Sequence, residues 1–355
     1  MKTKILFLLS LVLLLVDIYG QPNANDFDLI CYCSGETPHS VVSYDNNLQL
    51  ILLFKNGLTL KQLDSLQISY TKSQIKLLKL YNLLRQENKV LYSNIAILEN
   101  ENSVELREYS RSIAEKILPF VETDILELNE HLSSINRSKN AFSITFSYVL
   151  DGLIWKEFEA KGITKPIENN ENSPWTGHFW MLESKRSLGF GTNSYSDSTV
   201  TIAITNGAPY QLTKSFYKER EIRKLLLNDI KLYNKVIDER VLRTFEEFKI
   251  IDSNGEITIP IIYENNQNEL YSLSKRISRQ ICNKTLDLIV LDEIIEKYNF
   301  SDNEQAIIVL YHEIMWELLE IILEKGIMEI PIILKEPEQA EVQNISDILY
   351  IIKKD

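Results

Sequence analysis

Tyr311-His312-Glu313 stands near the middle of a long apolar run that also holds Trp316. A His-Glu pair on a helix starts a zinc-hydrolase site when a second histidine follows the first by four residues, because both rings then lie on one face. Position 316 is tryptophan, so the pattern is incomplete and His312 reads as a packed histidine. A second cluster, "SPWTGHFW", gathers Trp175, His178, Phe179 and Trp180, and Lys185 and Arg186 follow it. Aromatic rings of this kind stack on sugars or bury a peptide ligand. This stretch is the first choice for a ligand-binding surface, at Trp175, His178, Trp180, Lys185 and Arg186. A third candidate is basic: Lys72, Lys76, Lys79 and Arg85 against Glu87 alone. Such a row suits an acidic partner or phosphates.

Other catalytic patterns are missing from the sequence. "GFG" at Gly189 to Gly191 lacks the spacing of a dinucleotide loop. There is no Gly-x-Ser-x-Gly elbow. The four histidines stand in unrelated contexts, so no nucleophile-base set can be written. No catalytic residue, metal or cofactor is implied.

Composition bounds the rest. The chain has 355 residues, is 45% hydrophobic and carries a formal charge of −12. That balance is globular, and the acidity opposes nonspecific attraction to nucleic acid or an anionic membrane. The opening "MKTKILFLLSLVLLLVDIYG" has Lys2 and Lys4, an apolar core and small Gly20 before Gln21. These are the parts of a secretory signal peptide, with an apolar run too short for a span of about 20 residues. Export permits disulfides. Cys31 and Cys33 are too close to bond each other well, so one is expected to bridge to Cys282 and one to stay unpaired. A eukaryotic secretory origin would make Asn136, Asn283, Asn299 and Asn344 glycosylation acceptors.

The elements that must position these residues follow from periodicity and caps. Residues 1–20 are the signal and 21–43 a flexible lead-in. A helix starts near Asp45 and stops at Gly57. Thr59 and Thr71 each open a Thr-x-x-Gln capping box for two more helices. "VLYSNIAIL" reads as a strand and "VELREY" as its return in a hairpin. Helices then follow over roughly 111–117, 124–135 and 141–161, the last ended by Gly162. Three helices and a hairpin, over Asp45 to Ile117, resemble a winged helix-turn-helix domain. The resemblance implies that the basic third helix is the element that would face a duplex.

The chain also repeats itself. Sliding it until Lys161 falls on Lys325 lays "KGI" on "KGI". At the same offset Leu78 meets Leu242, Ile97 meets Ile261, Leu106 meets Leu270, and Ile113 meets Ile277. The expected organisation is a first winged-helix-like repeat at 44–163, a β-rich connection at 164–209, a second repeat at 210–327, and a strand-like tail at 328–355. Thr199 to Thr205 alternates as a half-buried strand. The helix after Ser301 is apolar nearly all round and should be buried.

The expected fold class is α+β, mainly helical, with two duplicated halves and β-hairpins. The expected role is an exported, non-enzymatic binding or assembly protein of the cell envelope, whose partner is a protein or an envelope component. An envelope hydrolase acting on glycan or peptide is one alternative, and a winged-helix DNA binder held by an uncleaved anchor is another.

Overall fold

The computed structural model describes residues 24–34, 38–166, 176–186, 189–207 and 220–354. The expected signal therefore lies outside the described residues. In chain order, leaving aside the short helix His39–Val42 and the 3-10 turns, the elements are β1 (Phe27–Ser34), α1 (Asn47–Leu53), β2 (Leu58–Thr59), α2 (Leu60–Ser65), α3 (Lys72–Leu80), β3 (Leu84–Glu87), β4 (Val90–Ser93), β5 (Ala96–Ile97) and α4 (Asn100–Ser134). Next come α5 (Ala141–Ser143), a π-helix (Ile144–Leu153), α6 (Ile154–Ala160), β6 (Thr176–Ser184), β7 (Gly191–Ser196) and β8 (Val200–Asn206). The rest is α7 (Arg220–Tyr233), α8 (Glu239–Glu247), β9 (Ile261–Tyr263), α9 (Glu269–Leu288), α10 (Leu291–Tyr298), α11 (Asn303–Glu324), α12 (Ile332–Lys335) and β10 (Leu349–Lys353). The protein is α+β and mainly helical, as expected. Among the described residues no helix is long and apolar enough to cross a membrane.

Two compact units form, and neither is a linear half. The first holds Met1–Glu105, Pro166–Arg186 and Asp292–Val309; the second holds Leu106–Lys165, Ser187–Leu291 and Leu310–Asp355.

In the first unit, the order helix, strand, helix, helix, hairpin runs from α1 to β4. β2 pairs antiparallel with β4, and β4 with β3, giving the sheet order β2-β4-β3. The hairpin turn holds Asn88 at φ 55°, the left-handed backbone that asparagine tolerates. The hairpin thus lies earlier than the sequence suggests. "VELREY" is helical and belongs to α4, because Leu106, Ser110, Ile113 and Ile117 recur at helical spacing and are all buried. A second sheet has the order β1-β6-β5, with β1 antiparallel and β5 parallel to the central β6. β1 comes from the stretch expected to be a flexible lead-in: its register with β6, starting at Phe27 opposite Ser184, supplies the backbone partners that local sequence does not reveal.

In the second unit, β8 is antiparallel and β9 parallel to the central β10, and β7 adds to the outer edge of β8. The tail expected to be strand-like is mixed: α12 and a 3-10 turn at Val342–Ile348 precede β10. The core of this sheet joins Val200, Ile202 and Ile204 to Phe245, Ile333 and Ile351. α4 runs on through Pro119, where an interior proline costs roughly 3 kcal/mol. Burial of Val121, Ile125, Leu128 and Leu132 offsets that cost, so the separate helices expected on either side are one. Every residue of α11 from Ala306 to Leu319 is buried, as its all-round apolar pattern requires.

Candidate functional site

The most distinctive exposed surface is α3 with the β3–β4 hairpin. Thr71 caps α3: its hydroxyl accepts from Gln74 N at 3.1 Å, while Gln74 Oε1 accepts from Thr71 N at 2.7 Å. The same buried glutamine donates through Nε2 to Asn46 Oδ1 at 2.7 Å and Asp45 Oδ2 at 3.2 Å. One side chain therefore closes the helix start and ties it to the chain entering α1. Ile75 and Leu78 are buried, which leaves Lys72, Lys76 and Lys79 in solvent along the other side. Leu80 is 53% exposed beside them.

The hairpin extends this charge. Lys79 Nζ donates to Gln86 Oε1, and Gln86 Nε2 donates to Asn88 O at 2.7 Å. Arg85 lies 4.6 Å from the centre of the Tyr92 ring and pairs with Glu87. Lys89 is exposed at the turn. Gly57 turns at φ 80° beneath Tyr92, and a Cβ there would come 2.3 Å from that ring. Glycine thus lets the ring lie where it supports Arg85. α3 and the hairpin together carry five cations and one carboxylate, with Asp45 beside the helix start, on a chain that is acidic as a whole. Such a surface can hold carboxylates or phosphates, with an attraction that weakens as salt rises.

The aromatic stretch has a different place. His178 and Trp180 lie on β6, with Tyr32 opposite His178 in the register; their side chains fall outside the described residues, as does Trp175. Met181 and Leu182 of the same strand are fully buried. Lys185 is exposed just past the strand, its backbone N donating to Asp26 O at 3.0 Å, and Arg186 is half-buried. The stretch supplies the central strand of a sheet, which accounts for much of its apolar alternation.

Cys282 is a free thiol on α9, fully buried, and burial pushes it up to about 11. The side chains of its expected partners, Cys31 and Cys33 on β1, lie outside the described residues.

One polar centre escaped the sequence reading. Asp151 sits in the π-helix, in the run "SYVLDGLIW". Its Oδ2 accepts from Thr192 Oγ1 of β7 at 2.9 Å. Burial raises this acid to about 6, against the opposite pull of the Thr192 hydroxyl. Gly152 is needed beside it, since a Cβ would come 2.9 Å from Ser147 O. The wider π-helical turn also leaves carbonyls for outside donors: Tyr311 Oη donates to Leu150 O at 2.8 Å, and Ser278 Oγ to Val149 O at 3.2 Å. The one available signal was an Asp-Gly pair inside an apolar helical run.

His312 stacks edge-to-face on Trp316 at 6.0 Å, within an aromatic cluster with Phe146 and Phe190. Next to it, Glu313 accepts from Arg107 Nε at 3.3 Å. A surface groove of about 500 Å³ is lined by Glu127, Glu130, His131, Glu269 and Arg276 among others. In it His131 Nδ1 lies 3.3 Å from Glu269, and Arg276 pairs with Asp124 at 2.9 Å and with Glu127.

No family model matches this chain, and neither the curated proteins nor the solved structures give a match.

Proposed function

We propose that this chain is an exported, non-enzymatic binding protein that holds an acidic protein partner through α3 and the β3–β4 hairpin. The observation that carries the reading is the solvent-facing row Lys72, Lys76 and Lys79, extended by Arg85 and Lys89. Export is supported by the opening twenty residues, with their lysines, apolar run and small residue before Gln21. In that compartment an acidic protein surface is a more accessible counter-charge than a chromosome.

A duplicated origin belongs to the same reading. It is supported by the matched apolar positions and by two sheets of like order and sense, β1-β6-β5 and β8-β10-β9. In each, the central strand is the last of the three in the chain. The element order from α1 to β4 supports a winged-helix-like first copy. That likeness favours one second reading, a DNA binder whose α3 meets a duplex.

The test is a titration of the full chain with a labelled glutamate-rich peptide and, separately, with a short DNA duplex, at low and physiological salt. Peptide binding should fall at least about tenfold in K72E/K76E/K79E and stay unchanged in K185E/R186E. Undiminished peptide binding by the triple variant would overturn the assignment. Tight duplex binding that survives physiological salt, with none to the peptide, would replace it with the second reading.

A further inference from the structure

Four Asn-x-Ser/Thr tripeptides occur: Asn136-Arg137-Ser138, Asn283-Lys284-Thr285, Asn299-Phe300-Ser301 and Asn344-Ile345-Ser346. The fold separates them into two classes. In the first and third, both the asparagine and the hydroxyl residue are exposed. Asn136 follows α4 at φ 59°, and Asn299 follows α10 at φ 55°. Both are turns in which the chain leaves a helix, and neither amide makes a side-chain hydrogen bond among the described residues.

The other two are closed. Asn283 and Thr285 lie within the continuous helix α9, and Thr285 is fully buried. Residues two apart on a helix point about 200° away from each other, so one enzyme site cannot grip the amide and the hydroxyl together once the helix has formed. Asn344 is committed to the local turn: Oδ1 accepts from Glu341 N at 2.9 Å, and Nδ2 donates to Asp347 at 3.1 Å. A glycan on that nitrogen would displace a bond beside buried Ile345 and Ile348.

We propose that Asn136 and Asn299 carry N-linked oligosaccharide, while Asn283 and Asn344 stay bare. The proposal rests on the export reading, since the modification takes place in the secretory lumen. In the transfer, Nδ2 loses one proton and bonds to the anomeric carbon of a lipid-diphosphate-linked oligosaccharide. The carbon–oxygen bond to phosphate breaks, and the lipid diphosphate leaves with the electron pair. No oxidant or reductant is needed. Both acceptors stand at exposed helix exits, where a bulky, hydrated chain points into solvent and disturbs no core.

The experiment is secretion of the full chain, with its own first twenty residues, from a eukaryotic cell. Mass spectrometry then reads the mature N-terminus and, after amidase release of glycans, each site at which asparagine has become aspartate. The expected product begins at Gln21 and carries two glycans. S138A and S301A should each remove one, and the double variant both. These substitutions keep asparagine at the left-handed positions, so loss of a glycan is separable from loss of the turn. A chain that begins at Gln21 but is bare at either Asn136 or Asn299, or modified at Asn283 or Asn344, overturns this proposal and leaves export standing. A chain kept in the cytosol with its leader intact overturns both.

Discussion

α3 and α8 occupy matching places in the proposed repeat, and their sequences differ in an instructive way. α3 buries Ile75 and Leu78; α8 buries Val241 and Phe245. Each begins with a capped turn, by Thr71 in one and by Asp238 in the other. Their outer faces have parted. α3 shows Lys72, Lys76 and Lys79, whereas α8 shows Glu239, Glu246 and Glu247 mixed with Arg240 and Arg243. Asp238 even holds Arg240, whose guanidinium drives the Asp238 carboxyl down to about 2. The buried positions answer to packing and tolerate little. The exposed ones answer only to what they meet, so one helix can carry a row of like charge while the other sets its charges in local ion pairs.

The packing side of this comparison breaks most visibly at Phe245. Phe245→Ala should cost about 3–5 kcal/mol and Leu78→Ala about 2–5 kcal/mol in urea unfolding. A loss below about 1 kcal/mol at either site would show that the two helices are not equivalent anchors.

A pair elsewhere in the chain sharpens the contrast. At the offset of the proposed repeat Asp151 falls on Met315, an acid against a buried apolar group. The folded carboxyl titrates near 6 against an ordinary value of 3.8. The native state therefore holds this proton more tightly than the unfolded chain. Its stabilising effect is full below about pH 4 and fades as pH rises to about 6. The shift bounds it at about 3 kcal/mol, less where solvent reaches the group. The melting temperature should fall between pH 4 and 6.5 in the wild type, and fall less in Asp151→Asn. Parallel curves would remove the account of Asp151.

The smallest effects lie at the caps. Thr71→Ala should cost about 1 kcal/mol and loosen α3 against the chain entering α1, with Asp238→Ala similar. Amide exchange in the first turns of α3 and α8 would read this. If Thr71→Ala leaves exchange and peptide binding unchanged, the cap does not position the lysine row.

Local chemistry was readable from the residues alone. Thr59 and Thr71 announce their capping boxes because a side chain and an amide three residues on are close in any helix start. Gly57 and Gly162 stop helices because both take left-handed backbone, at φ 80° and φ 68°. The lysine row of α3 and the buried all-round face of α11 follow from helical spacing. The sheets were legible only in part: Thr199–Thr205 alternates, but β1 hides in a polar opening stretch. "VELREY" misled because two turns of a helix, with apolar groups at Val104 and Leu106, resemble a short strand.

By itself, the sequence determined the helix starts and stops and the basic face, since each depends on neighbours within a turn or two, and the acidity, which is a sum over its residues. Tertiary structure alone decided that residues 27–34 pair with 176–184, that Pro119 lies inside a helix, and that Asp151 is held by Thr192 in a wide turn. Those outcomes depend on partners dozens of residues away. Burial and backbone pairing across such distances leave little mark on either segment read singly.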